Sequence, residues 1–439
     1  MSKKGNNILN NPPGNNYSFN SFLPPSVPPG NNNNNDWLIA IIATDNESAT
    51  ATGTFSLLTV EEVDPVVIGE VATVTDFNHL SQTINFSQTY SNPVVIAGPL
   101  SYNGSHTATV RIESVTADGF TAFIQEPSNL DGWHTWESFS YLVLEAGTWQ
   151  WPDGTLVEVG TIDTNATVRH NWETIDFDGD FEETPAIFSY VQSYHGGDFV
   201  RTRQRDDSQS GFQLSLEEEE RKLSGGHLTE TVGYVALDSG SGSINGLDYT
   251  VGSTPDEVDH HWYDLDFGDN FAQEPNFLAQ LASYDGHDSA GLRYRNLTDE
   301  GLQVFVEEDT SRDSETWHTT EVVDFWAIAD GVLSGYGYDP ITGMALIEGT
   351  DSDEVFFGTE GDDSITGGLG SDVFVLAQSA DVISDFTLDV DKIGLTVEFE
   401  ELAITQVGSD SVISLGLDSL TLTGVDSGFL TESDFISLI

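Results

Sequence analysis

From Trp37 onward, apolar and polar residues alternate in short runs, as in "TAFIQE" at 121–126, "FQLSLEE" at 212–218 and "LQVFVEE" at 302–308. Successive side chains of a strand point to opposite faces, so this alternation predicts strands with one buried side. The runs are broken by Gly, Asn and Asp, and no useful length carries a 3.6-residue period. The chain therefore reads as almost entirely β. Residues 1–36, rich in Asn, Pro, Gly and Ser, read as a flexible leader, and 37–64 as an N-terminal β segment.

The strand pattern recurs about every 90 residues. "INFSQTYSNPVVIAGPLSY" at 84–102 returns as "IDFDGDFEETPAIFSYVQSY" at 175–194 and as "LDFGDNFAQEPNFLAQLASY" at 265–284. Each copy then places an Arg nine residues after its Tyr, a turn Gly, and a Glu seven residues beyond that Gly. Each closes on His-x-x-Glu and an apolar strand, as in "HTWESFSYLVLEAG". Units of this size fit antiparallel β-sandwiches, bounded at 65–150, 151–245 and 246–331. Residues 332–348 read as a linker.

Histidine and arginine are scarce, at ten and nine, yet both fall in columns. Tyr102, Arg111, Glu126 and His134 in the first copy correspond to Tyr194, Arg203, Glu218 and His227, and to Tyr284, Arg293, Glu308 and His318. Polar planar groups near an aromatic suit a sugar, whose hydroxyls take Arg and carboxylates and whose apolar face takes the ring. The bland reading is structural, with a buried Arg paired to a Glu and a His capping a turn. A third reading groups His79, His134 and Glu126 as a two-His-one-carboxylate metal set. Residues three apart on a strand face opposite sides, so His134 and Glu137 are not expected to meet unless a turn intervenes. No H-E-x-x-H, nucleophile elbow or P-loop occurs, so no enzyme is expected.

The run "INFSQTYSNPVVIAGPLSY…ATVRIESVTADGFTAFI…FSYLVLEAG" resembles the H-type lectin domain. That resemblance implies a short antiparallel sandwich that trimerises and binds N-acetylgalactosamine-type sugars between subunits, through an Arg from one and a Trp-His pair from its neighbour. Arg111, Arg203 and Arg293 lie on the matching strand, and Trp133-His134 and Trp317-His318 look similar to the pair. The second copy has Gly226 before His227, so its Trp is missing. Three tandem copies imply a pseudo-trimer, with the Arg of one copy facing the His of the next.

Charge narrows the partners. The chain carries 73 Asp+Glu against 13 Lys+Arg, a formal charge of −60. That argues against nucleic acid, whose phosphates need cationic neutralisation, and against anionic membranes. Self-repulsion of this size calls for bound or screening cations, and calcium or adaptation to salt water supplies them. There is no cysteine, hence no disulfide or thiolate site, and no apolar run approaches the roughly 20 residues of a membrane span.

Residues 349–375 hold three nonapeptides, "GTDSDEVFF", "GTEGDDSIT" and "GGLGSDVFV", in the G-G-x-G-x-D-x-U-x pattern of hemolysin-type (RTX) repeats. Glycines permit the turn, the sixth position carries an acid, and the eighth (Phe356, Ile365, Phe374) fills a narrow parallel β-roll. Hard oxygen donors suit Ca2+, and the candidate ligands are Asp353, Glu354, Asp362, Asp363, Asp372 and Asp385. Residues 376–439 resemble the C-terminal region of type I secretion substrates, which would account for the lack of a recognisable N-terminal signal. The expectation is a secreted, calcium-binding, carbohydrate-binding or adhesive surface protein, with glycans, calcium and the type I secretion machinery as partners. The alternative is an extracellular matrix or filament protein whose copies self-associate, with a metal-dependent enzyme ranking third.

Overall fold

Several apolar stretches are continuous rather than alternating, such as "PVVIA" at 93–97 and "YLVL" at 141–144, and these mark strands buried on both faces. In the computed structural model, Val94, Ile96, Leu142 and Leu144 face one core, while Val95, Ala97, Tyr141 and Val143 face another. The structure describes residues 65–438 except 224, 269, 270, 360, 377, 378 and 417, together with the strands Trp37–Ile39 and Leu58–Glu62. The leader expected over 1–36 and most of the 37–64 segment lie outside the described residues.

Each copy builds two small antiparallel sheets in the same order. In the first, Val66–Phe77, Glu137–Glu145 and Pro93–Ala97 make the inner sheet. Gln82–Asn85, Gly119–Gln125 and Thr109–Thr116 make the outer one. The second copy repeats this with Leu156–Thr164, Glu230–Leu237 and Ala186–Val191 inside, and Glu173–Asp176, Gly211–Glu218 and Val200–Ser208 outside. The third uses Leu247–Ser253, Val323–Ile328 and Asn276–Leu281 inside, and Tyr263–Asp266, Gly301–Glu308 and Ala290–Arg295 outside. Each sandwich has its own apolar core.

The three inner sheets share a further core on their other faces. It takes Ile68, Val94 and Leu144 from the first copy, Val157, Phe188 and Leu237 from the second, and Val251, Leu278 and Trp326 from the third. Trp151 and Trp326 are fully buried there, with ring centroids 5.6 Å apart. The copies are thus a closed trio rather than beads on a string.

Backbone pairing closes the trio as well. The last strand of the first copy, Gly147–Gln150, pairs with the first strand of the second. Gly240–Ile244 pairs with the first strand of the third. Gly331–Asp339 returns to the first strand of the first, with Gly331 opposite Val71 and Gly335 opposite Val66. The stretch 332–348, expected as a linker, is therefore two strands. Met344–Glu348 pairs with Gly331–Asp339 and also, in parallel, with Asp363–Thr366.

Beyond that point the chain coils. Glu354–Phe356, Val373–Val375, Lys392–Leu395 and Phe435–Ser437 stack in parallel on one side. Asp363–Thr366, Ala380–Ile383 and Asp418–Leu422 stack on the other. Ile347, Phe356, Ile365, Phe374 and Ile383 fill the space between, with Phe356 and Phe374 stacked at 5.0 Å. No helix among the described residues is long and apolar enough to cross a membrane.

Candidate functional site

Two sets of polar residues are organised by these strands. The first runs along the coil. Two nonapeptides make one full coil, so residues about 18 apart stack. Asp372 Oδ1 accepts the Glu354 N–H at 3.0 Å, Asp391 Oδ1 the Asp372 N–H at 3.1 Å, and Asp381 Oδ1 the Asp363 N–H at 3.1 Å. The result is two ladders of buried carboxylates, Glu354–Asp372–Asp391 and Asp363–Asp381, each residue at most 4% exposed. Burial raises the carboxyls of Asp363 to about 6, and of Asp372 and Asp381 to about 7, with neighbouring carboxylates adding to the shift.

The fit to calcium is visible at the turns. A Cβ on Gly367 would lie 2.7 Å from Asp372 Oδ2, and one on Gly368 (φ +88°) would run into the Thr350 carbonyl. Bare backbone thus lets carboxylate and carbonyl oxygens converge, a hard donor set of the kind calcium takes. Glu354, Asp363, Asp372 and Asp381 are the carboxylates that would hold ions between turns. Bound calcium would neutralise the ladders and tie successive coils together.

The other three expected ligands also accept backbone hydrogen bonds between turns. Asp353 accepts the Ser371 N–H and Asp362 the Ala380 N–H, both at 2.8 Å. Asp385 accepts the N–H groups of Gly367 and Gly368 at 2.9 and 2.8 Å. They fasten turn to turn. Asp381 was missed because its nonapeptide, "LAQSADVIS", has no glycine, although its acid and its Ile383 are in register.

The second set lies between sandwiches. Arg111 of the first copy meets Glu230 of the second at 2.7 Å. Arg203 of the second meets Glu321 of the third at 2.9 Å, and Arg293 of the third meets Glu137 of the first at 2.8 Å. The relation is cyclic, like the backbone closure. Each guanidinium also donates to carbonyls of the neighbouring copy, as Arg111 does to Ser193 at 2.7 Å and Arg293 to Ser101 at 2.6 Å. Each lies over the neighbour's Tyr: Arg111 over Tyr194, Arg203 over Tyr284 and Arg293 over Tyr102, at 4.7–5.2 Å.

His134, His227 and His318 complete each cluster. Each imidazole spans two carboxylates: Glu126 and Glu137, Glu218 and Glu230, Glu308 and Glu321, at 2.8–3.2 Å. Burial disfavours charging His227 and His318, yet the paired carboxylates prevail and raise both to about 9. His134 and Glu137 do meet, because His134 lies in irregular backbone ahead of the strand that opens at Glu137, where strand alternation does not apply. Glu137, Glu230 and Glu321 are thus key residues that the strand-alternation argument set aside.

These clusters are not the open cleft expected for a sugar. The three arginines are at most 1% exposed and the paired Glu and His no more than 8%. The residues converge, but inside, where they are consumed by one another. The two-His metal set is not formed either, since His79 Nδ1 is bonded to the His134 carbonyl at 3.1 Å. What remains outside is aromatic. Trp133 is 72% exposed with His79 packed on it at 4.4 Å, and Trp317 is 64% exposed with His260 at 5.9 Å. The second copy has Leu228 exposed nearby and Gly226, not Trp, before its His227.

Comparison with known proteins agrees with the coil. Residues 348–383 match the family described as RTX calcium-binding nonapeptide repeat (4 copies). The protein is therefore calcium-binding, with one nonapeptide more than the glycine pattern predicts. Over 299 residues the chain is 29% identical to Halomucin of Haloquadratum walsbyi, a match covering 66% of this chain and 3% of that protein. The chain thus spans a small fraction of that relative. No solved structure matches.

Proposed function

We propose that the chain is an extracellular surface module that binds carbohydrate through exposed tryptophan faces on its three-sandwich head, and that it acts by adhesion rather than catalysis. The observation that carries this reading is the recurrence of one exposed feature in two copies. A solvent-facing Trp backed by His stands beside carboxylates at Trp133 and at Trp317. Indoles left this exposed at equivalent places offer the flat apolar surface that a sugar ring covers. Two such faces on one rigid body gain avidity on a repeating glycan. The calcium-binding coil and the likeness to Halomucin fit an external location, and export by a type I machinery accords with the tail after the coil.

The test is a glycan array in calcium with wild type, Trp133→Ala and Trp317→Ala. Each single variant should lose roughly 10²–10⁴-fold in avidity while melting like wild type. A second reading, a matrix protein whose copies serve assembly, draws on the burial of the Arg–Glu–His clusters. It gains if no glycan is retained and the protein self-associates in calcium.

A further inference from the structure

The three copies answer one electrostatic problem in three ways. The residue five before the repeated Arg is His106, Asp198 or Asp288. In the first copy that position is itself a base: His106 Nδ1 lies 3.1 Å from Glu126 Oε1, and Gly132 N–H donates to Oε2 at 3.2 Å. In the second, Asp198 holds the ammonium of Lys222 at 2.5 Å. In the third there is neither. Asp288, Glu308 and Glu315 bring one carboxylate oxygen each to within 4.8 Å of one another, with no Lys or Arg paired to any of them among the described residues.

The Glu308 side chain is 2% exposed, its Oε1 is held by His318 at 3.2 Å, and its Oε2 is buried with no partner. An uncompensated carboxylate oxygen at such a place costs free energy unless something positive reaches it. We propose that Asp288, Glu308 and Glu315 form a divalent-cation site, a calcium site separate from the coil, in which the ion does for the third copy what Lys222 does for the second. Hard carboxylate oxygens at this spacing suit Ca2+, and burial together with Glu315 and Asp288 already makes Glu308 hard to ionise alone. The ion would sit next to Trp317, whose backbone N–H donates to Glu315 Oε2 at 3.3 Å.

The test counts calcium bound to the full chain by equilibrium dialysis in excess KCl, which removes weak surface association. Glu315→Gln, at an exposed position, and Glu308→Gln should each bind one ion fewer than wild type. Asp372→Asn, in the coil, should lose coil ions and keep this one. Glu315→Lys should bind one ion fewer and melt above wild type in chelator, because it supplies the missing cation as Lys222 does. Should Glu308→Gln fail to fold, Glu315→Gln decides. A full ion count in Glu315→Gln, or a Glu315→Lys protein that melts lower than wild type in chelator, overturns the proposal.

Discussion

His227 sits between Glu218 and Glu230, and Arg111 from the first copy also bonds Glu230. Its folded pKa of about 9 stands above the ordinary value near 6.5. The stabilisation from its charge is therefore complete below about pH 6.5 and disappears as pH rises through 9. Glu230 is shifted the other way, so its share is complete above about pH 4.5 and is lost on acidification. Melting should be flattest between those limits and fall towards pH 10, by on the order of 1–3 kcal/mol from His227. His227→Gln should start lower and lose that alkaline slope, as thermal melts in buffers of fixed calcium would reveal. Buried pairs of this kind add little net stability over apolar substitutes, whereas removing one partner costs ~3–5 kcal/mol. Their value here is register, since each guanidinium fits only when the neighbouring sandwich is correctly placed.

At the scale of elements, the coil is where charge and packing compete. In Asp372→Asn the amide oxygen still accepts the Glu354 N–H, so the turn is kept. Calcium affinity should drop ~10-fold or more while melting in chelator rises, because the Glu354–Asp372–Asp391 ladder loses a charge. Isothermal calorimetry and paired melts would register both signs, and an unchanged affinity would remove Asp372 from the ligands. Much of this level is legible in the sequence. The Phe, Pro, Tyr and Arg columns gave the sandwiches, and three glycine-marked nonapeptides gave the coil. Two things were hidden. Asp381 lies in a nonapeptide without glycines, and His134 and Glu137 meet only because His134 stands outside the strand that Glu137 opens. The apolar runs "PVVIA" and "YLVL" did carry a signal, since strands buried on both faces announce a second core. The exposed Trp133 and Trp317 were legible, but their separation from the buried Arg columns required the third dimension.

At the scale of the whole molecule, head and coil differ in what they need. The shared core around Trp151 and Trp326 is apolar, and the trio is closed by backbone pairing. In chelator, near-ultraviolet circular dichroism from those buried indoles should persist while the coil's cooperative transition vanishes from calorimetry. Added calcium at a hundredfold excess over its dissociation constant restores the coil by about 2.7 kcal/mol per ion. Collapse of both signals together would mean that the head depends on the coil.

The strand that completes the trio, Gly331–Asp339, lies antiparallel to Val66–Phe77, so the polypeptide enters and leaves the head at the same end of one ribbon. Once the parallel pairing of Leu58–Glu62 with Glu354–Phe356 has parted, tension carried by the flanking segments would pull those two strands apart at their open end and unzip them rung by rung, instead of shearing every rung at once. The three sandwiches would then be paid out as slack. A module closed this way behaves under load as a shock absorber with a soft latch, and the latch re-forms when the ends come back together.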